Sequence, residues 1–300
     1  MNAFAALKQR LEHTCAQLEL REHESMSRHT SFRIGGPVSL MALPENREQA
    51  VAAVIAAREE GIEPFFLGNG SNLLVPDEGV ERFVIKTSGL RTCCLEGTHI
   101  VAEGGVTLAR LASFARERGL TGLEFAHGIP GTLGGAVTMN AGAYDGEMAQ
   151  VVRGVTCLYP DGTVHEETDF AFGYRHSAFS DGRRMILSVR VELADGDPAE
   201  IARRMEQLSA NRQEKQPLEY PSAGSMFKRP EGYFAAALID QCGLKGLRVG
   251  GAQVSEKHAG FVVNRGGATC RDVLSLVDQV KQTVREQTGV ELEMEVKVLR

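Results

Sequence analysis

The chain has no tryptophan and only 5 tyrosines beside 13 phenylalanines, so stacking on an aromatic ligand falls to Phe and Tyr. Its 6 cysteines, at positions 15, 93, 94, 157, 242 and 270, form no C-x-x-C pair. Cys93 and Cys94 are adjacent and poorly placed to bridge each other. Scattered thiols behind a start with no signal-peptide pattern point to a reducing cytoplasm. The 8 histidines do not cluster with cysteines at ligand spacing, so no metal site is expected. Positive charge is not in excess: the net charge is −6, which implies no nucleic-acid surface. Phosphate binding then has to come from local cations and backbone N–H groups. No apolar run approaches the roughly 20 residues of a membrane span, so no membrane association is expected. A G-x-S-x-G elbow is missing, which disfavours a hydrolase nucleophile. There is no internal repeat and no low-complexity segment.

What the chain does have is ordinary bulk and unusual glycine. Its 300 residues, 43% hydrophobic and 24% charged, allow two or three domains with ample core. Residues 120–144 carry glycines at 122, 128, 131, 134, 135 and 142. Such a stretch exposes backbone N–H groups, and consecutive N–H groups form an anion-binding nest. Ile129-Pro130-Gly131-Thr132 reads as a tight turn with Gly131 free to take a positive φ. A short helix over 133–139 follows it, as at many phosphate seats. A loop crossing under a sheet, with glycine serving close packing alone, is the other reading. A second turn, Gly68-Asn69-Gly70-Ser71-Asn72, follows a short apolar strand over 65–67. It resembles the start of a dinucleotide fingerprint. The third glycine is absent, however, and Pro76-Asp77-Glu78-Gly79 interrupts any helix, so a Rossmann fold is disfavoured. Two such turns suit a pyrophosphate ligand held between two loops.

Periodicity predicts helices over 2–18, 46–58, 108–118, 198–213, 233–242 and 271–287. The second of these carries Ala50, Val51, Val54 and Ile55 on one face. Strands are predicted over 38–43, 65–67, 84–85, 99–102, 151–159, 164–166, 185–193, 260–263 and 292–299. The pattern is α+β. Asp195-Gly196-Asp197-Pro198 marks a boundary, giving a domain over 1–196, in two parts of roughly 1–90 and 91–196, and a smaller α/β domain over 197–300.

Three clusters outside the glycine turns carry chemistry. Phe172-Gly173-Tyr174-Arg175-His176 can present a guanidinium to a carboxylate, or is a surface arginine stacked on a ring. Ala223-Gly224-Ser225-Met226-Phe227-Lys228-Arg229 exposes a hydroxyl beside two cations, although a lone serine more often caps or turns a chain. Glu291, Glu293 and Glu295 share one face of a period-2 strand, which alone reads as a solvated edge.

In order along the chain, these motifs resemble the UDP-N-acetylenolpyruvoylglucosamine reductases (MurB, UDP-N-acetylmuramate dehydrogenases), in their shorter second type. The resemblance runs from His29-Thr30-Ser31-Phe32-Arg33-Ile34-Gly35-Gly36 through both glycine turns and Met139-Asn140-Ala141-Gly142-Ala143-Tyr144. It continues through Gly173-Tyr174-Arg175 and Ala223-Gly224-Ser225 to Leu292-Glu293-Met294-Glu295-Val296. It implies a cytoplasmic bacterial flavoenzyme of peptidoglycan precursor synthesis, with the two-part FAD-binding fold of vanillyl-alcohol oxidase plus a C-terminal substrate domain. FAD would be held without a covalent bond by Gly68, Asn69, Gly70, Ser71, Asn72, Gly128, Ile129, Pro130, Gly131, Thr132, Gly134, Gly135, Ala136, Asn140 and Gly142. NADPH would be the reductant. Arg175, Ser225 and Glu295 would be catalytic, with Lys228 assisting Ser225. Tyr174, Lys228, Lys245 and His258 would contact the sugar nucleotide. Arg229 departs from the asparagine common at its position. The partners implied are small molecules, and the chain would be a monomer or weak oligomer. A flavin oxidase of the same fold acting on another substrate, and a non-catalytic nucleotide-binding regulator, are the rival readings.

Overall fold

The computed structural model describes residues 2–300. They form two compact units. The first comprises the chain up to His23, Ser39–Asn69 and Arg82–Asn211; the second comprises Glu24–Val38, Gly70–Glu81 and Arg212–Arg300.

The first unit has two layers of sheet. One sheet has the strand order Glu19–Ser25, Pro37–Leu43, Val80–Lys86, Pro64–Leu67, with Phe65 of the last strand parallel to Val84. Helices α1 (Ala3–Thr14) and α2 (Arg47–Glu59) share a core with it, built on Leu7, Leu11, Leu40, Val54, Phe83 and Ile85. Asn2 and Asn46 start the two helices, each side chain accepting a backbone N–H three residues on. The buried face of α2 is Ala50, Ala53, Val54 and Ala57. Ile55, expected on that face, is 37% exposed, because the helix uses its small residues to lie close. The strand Glu19–Ser25 was not expected: E-L-R-E-H-E-S lacks apolar alternation, as an edge strand can.

The other sheet is antiparallel, in the order Val164–Glu167, Val152–Leu158, Met185–Glu192, His99–Glu103, Cys93–Glu96. Its inner residues, among them Ile100, Ala102, Val155 and Val189, share a core with helices α3 (Leu108–Arg116) and α4 (Leu133–Thr138). Cys93 packs on that core and Cys94 is exposed, as alternation along a strand requires. Helix α5 (Pro198–Lys215) adds Ile201 and Met205 to the same core.

In the second unit the antiparallel order is Ser222–Ser225, Phe261–Asn264, Ala252–Val254, Arg248–Val249. Helices α6 (Ala235–Gln241) and α7 (Cys270–Thr288) belong to its core. A reciprocal capping box of Thr269 and Asp272 begins α7, and Gly289, at φ 74°, ends it. Phe32, fully buried in this core, anchors the His29–Gly36 motif. Truncating such a ring to Ala typically costs about 3–5 kcal/mol.

The expected strand over 292–299 is only partly present. Met294 forms a single antiparallel bridge to Phe227, and Lys297–Val298 pairs in parallel with Leu73–Leu74. A segment that changes partner within three residues must bend, and it does so at Val296. Among the described residues no helix is long and apolar enough to cross a membrane.

Candidate active site

In the first unit the two glycine turns touch. Gly68 follows directly on Pro64–Leu67, and a Cβ there would lie 2.3 Å from Thr132 Oγ1. Only a hydrogen fits at that approach. Thr132 is buried, and its hydroxyl accepts the Gly135 N–H at 3.4 Å to cap α4. Its turn is stitched to the start of α3, with Leu108 N–H donating to Gly131 O at 3.1 Å and Leu133 N–H to Val106 O at 2.8 Å. Gly131 does not take the expected positive φ. Its N–H instead donates to Ile129 O at 2.8 Å. That three-residue turn is centred on Pro130, whose ring already fixes the φ it needs. Gly70, in contrast, has φ +59°, and a Cβ there would meet the His29 carbonyl oxygen at 2.2 Å.

Among the described residues the N–H groups of Asn69, Gly70, Ser71, Gly128 and Thr132 donate to no protein acceptor. A diphosphate carries acceptors only, so these turns fit its chemistry. Asn140 is buried, and its amide is used at both ends. Oδ1 accepts the Ala149 N–H at 2.9 Å, and Nδ2 donates to Gly173 O at 3.1 Å.

The second of those bonds holds the Tyr174–Arg175 tip. Gly173 and His176 exchange N–H···O bonds of 3.0 and 3.2 Å, closing a tight hairpin around the pair. Arg175 sits at φ 53°, a left-handed conformation that costs a non-glycine residue roughly 1–2 kcal/mol. Such strain persists where the surroundings over-determine it, often at functional sites. Tyr174 is 56% exposed, with the Arg175 guanidinium 5.2 Å from its ring centre.

In the second unit the strand Ser222–Ser225 slips register against Phe261–Asn264 between Ser222 and Ser225. Gly224 takes φ +79° there, with nothing within 4 Å of the point where a Cβ would stand. Glycine is required for the conformation, not for space, and the bulge delivers Ser225 exposed at its end. The chain then runs antiparallel to the C-terminal segment. Glu295 N–H donates to Met226 O, and Lys228 N–H to Glu293 O, both at 2.9 Å. Glu295 therefore stands opposite the residue next to Ser225.

Lys228 Nζ is paired with the Glu293 carboxylate. That gives a partner to an acid that the sequence presents only as one of a solvated row. Lys245 Nζ lies 2.7 Å from Asp240. His258 Nδ1 accepts the Gly260 N–H at 3.2 Å, and its ring stands edge-on to Phe261. Burial pushes the His258 pKa down, and the Lys245 charge adds to that push. With Nδ1 accepting the Gly260 N–H, the neutral ring carries its proton on Nε2, where it can donate. Arg229, at the departure from asparagine, lies 3.9 Å over the Phe234 ring. Of the expected residues, Arg175, Tyr174, Gly68, Asn69 and 128–142 thus belong to the first unit. Gly70, Ser71, Asn72, Ser225, Lys228, Lys245, His258 and Glu295 belong to the second.

Comparison with known proteins gives the family of both parts of the chain. Residues 38–168 match the FAD binding domain family. Residues 216–299 match the C-terminal domain of UDP-N-acetylenolpyruvoylglucosamine reductase. A reductase of that name from Caldanaerobacter subterraneus is 46% identical over 295 residues, 98% of each chain. One from Clostridium tetani is 42% identical over 301 residues, covering all of this chain and 98% of the relative. The crystal structure of the MurB enzyme from Thermus caldophilus superposes with a TM-score of 0.81 at 38% identity, covering 95% of this chain and 99% of that one. With both halves matched and nearly the whole length aligned, the chain belongs to the UDP-N-acetylenolpyruvoylglucosamine reductase family.

Proposed function

We propose that this chain reduces the enolpyruvyl group of UDP-N-acetylenolpyruvoylglucosamine to the lactyl group of UDP-N-acetylmuramate, at the expense of NADPH, for peptidoglycan precursor synthesis. The observation that carries the reading is the pairing of residues 226–228 with 293–295, which holds Glu295 opposite the neighbour of Ser225. FAD, held without a covalent bond, would supply the hydride taken up at C3 of the enolpyruvyl group. The N–H groups of Asn69, Gly70, Ser71, Gly128 and Thr132 are suited to its diphosphate.

Adding hydride at C3 drives negative charge through C2 onto the substrate carboxylate. The Arg175 guanidinium stabilises that charge by a charge-assisted contact. Glu295, in its protonated form, donates a hydrogen bond to the same carboxylate. The Ser225 hydroxyl gives a proton to C2, which completes addition of one hydride and one proton across the double bond. A serine is a weak acid at neutral pH, so a nearby cation is needed, and Lys228 is the nearest in sequence. Tyr174, Lys228, Lys245 and the Nε2–H of His258 bind the sugar nucleotide. The enzyme works in the bacterial cytoplasm on small molecules, as a monomer or weak oligomer, without nucleic acid or membrane.

Ser225→Ala tests this directly. Flavin reduction by NADPH should proceed at the wild-type rate, because that half-reaction needs no proton at C2. Oxidation of the reduced enzyme by the enolpyruvyl substrate should slow by about 10²–10⁴-fold, the usual worth of a general acid. Equal losses in the two half-reactions, or no loss in the second, would remove Ser225 from the chemistry.

A further inference from the structure

The first glycine turn does more than present N–H groups. Its last residue, Asn72, is tied to the segment that carries Glu295. Asn72 Nδ2 donates to the Glu295 carbonyl at 3.2 Å. The Asn72 carbonyl accepts the Lys297 N–H at 3.1 Å. Glu295 itself donates its N–H to Met226 O at 2.9 Å. The Glu295 peptide is thus fixed on both sides, by the Ser225 segment through its N–H and by Asn72 through its C=O. Directly after it the chain bends at Val296 and changes pairing partner. A bend at that point has no continuous ladder to define it, so the two bonds from Asn72, to Glu295 and Lys297 on either side of Val296, help set where Glu295 stands.

The same turn reaches the Ser225 strand by a second route. Ser31 N–H donates to Gly70 O at 3.3 Å, and Ser31 Oγ donates to Ser222 O at 2.6 Å. Ser222 opens the strand that ends in Ser225. All of these residues lie in the second unit. One short turn therefore braces both proton-donor segments, through Ser31 on one side and Asn72 on the other.

We propose that Asn72 is a positioning residue for Glu295, and not primarily a cofactor ligand: its side-chain amide sets the placement of the Glu295 peptide relative to Ser225. The inference rests on the reading of Glu295 and Ser225 given above. Asn72→Ala removes the donor and leaves the Glu295 carbonyl to water. Asn72→Asp keeps the shape but sets an acceptor against that carbonyl.

Neither variant touches the N–H groups of Asn69, Gly70 and Ser71, so any loss of flavin or of the NADPH half-reaction should be small beside the loss in the second half-reaction. Oxidation by saturating enolpyruvyl substrate should slow on the order of 10²-fold, the cost of misplacing a catalytic group by about an ångström. Amide hydrogen exchange in the peptide spanning 293–299 of the holoenzyme should accelerate without global unfolding. If Asn72→Ala yields colourless protein, Asn72 is a cofactor ligand and the inference fails. It also fails if both half-reactions slow alike, or if neither slows. Should Asn72→Ala not fold, Asn72→Asp carries the same readouts. A wild-type enzyme that the enolpyruvyl substrate does not reoxidise would overturn the functional reading itself, which is a distinguishable result.

Discussion

Gly68→Ala probes the contact between the two glycine turns, and its cost can be worked from the geometry. The new Cβ would sit 2.3 Å from Thr132 Oγ1, but 3.4 Å from Thr132 Cβ and 3.5 Å from Cγ2. Only the hydroxyl is therefore in the way. Thr132 is 1% exposed, so it cannot swing into solvent, and the two turns must part instead. Overpacking of this kind typically costs about 1–3 kcal/mol. Thr132→Ala alone removes an N-cap, worth about 0.5–2 kcal/mol. The low end applies, since the capping bond is 3.4 Å long and α4 has six residues. In the double variant the clash is gone and the new Cβ makes an ordinary contact. Its total cost should equal that of Thr132→Ala alone, so the two changes should be coupled by about 1–3 kcal/mol. Urea unfolding in excess FAD measures the three costs, and flavin released per chain reports the cradle. Gly68→Ala should lower flavin occupancy, and Thr132→Ala should restore part of it. Strictly additive costs would refute the claim that this single hydroxyl sets the distance between the turns.

Gly70→Val should cost far more flavin and stability than Gly131→Val, because only Gly70 combines a positive φ with a backbone oxygen 2.2 Å from its Cβ position; parallel flavin titrations decide it. Asn140→Ala strands the half-buried Ala149 N–H and takes the amide donor from the Gly173 carbonyl, which keeps the His176 N–H, at about 1 kcal/mol, the low end for a group left unsatisfied. By loosening the Tyr174–Arg175 tip it should raise KM for the sugar nucleotide while flavin reduction by NADPH is unchanged. The folded pKa of His258 lies below its ordinary value of 6.5, so the unfolded chain takes up the proton first. Its contribution to stability is complete above pH 6.5 and falls as pH drops below that value. A lower urea midpoint at pH 5.5 than at pH 7.5, smaller in His258→Gln, is the expected result.

Local signals made much of this fold legible. Thr107 and Gly119 frame α3, Pro198 opens α5, and Pro160-Asp161-Gly162 turns a hairpin, each through the chemistry of one or two residues. What stayed hidden is long-range. Nothing near Asn72 in sequence announces a bond to Glu295, and nothing near Phe32 announces that its carbonyl accepts from Asn264 Nδ2 at 3.1 Å. The strand Glu19–Ser25 escaped because its seven residues include one aliphatic side chain. The 292–299 segment reads as one strand because its alternation persists through Val296, while the change of partner that bends it is a tertiary event. At the site, the Tyr174–Arg175 and Gly224-Ser225 motifs were visible. The left-handed backbone of Arg175, the lowered pKa of His258 and the Glu293 partner of Lys228 were not, because each depends on what the fold packs around it.

The most direct test of the central claim is an anaerobic titration of the purified wild-type protein, followed by its flavin absorbance. The expected result is a yellow protein that NADPH bleaches and that one equivalent of UDP-N-acetylenolpyruvoylglucosamine recolours, with UDP-N-acetylmuramate formed in the same amount. Bleached flavin that stays bleached with the enolpyruvyl substrate and recovers only on admitting oxygen would contradict it.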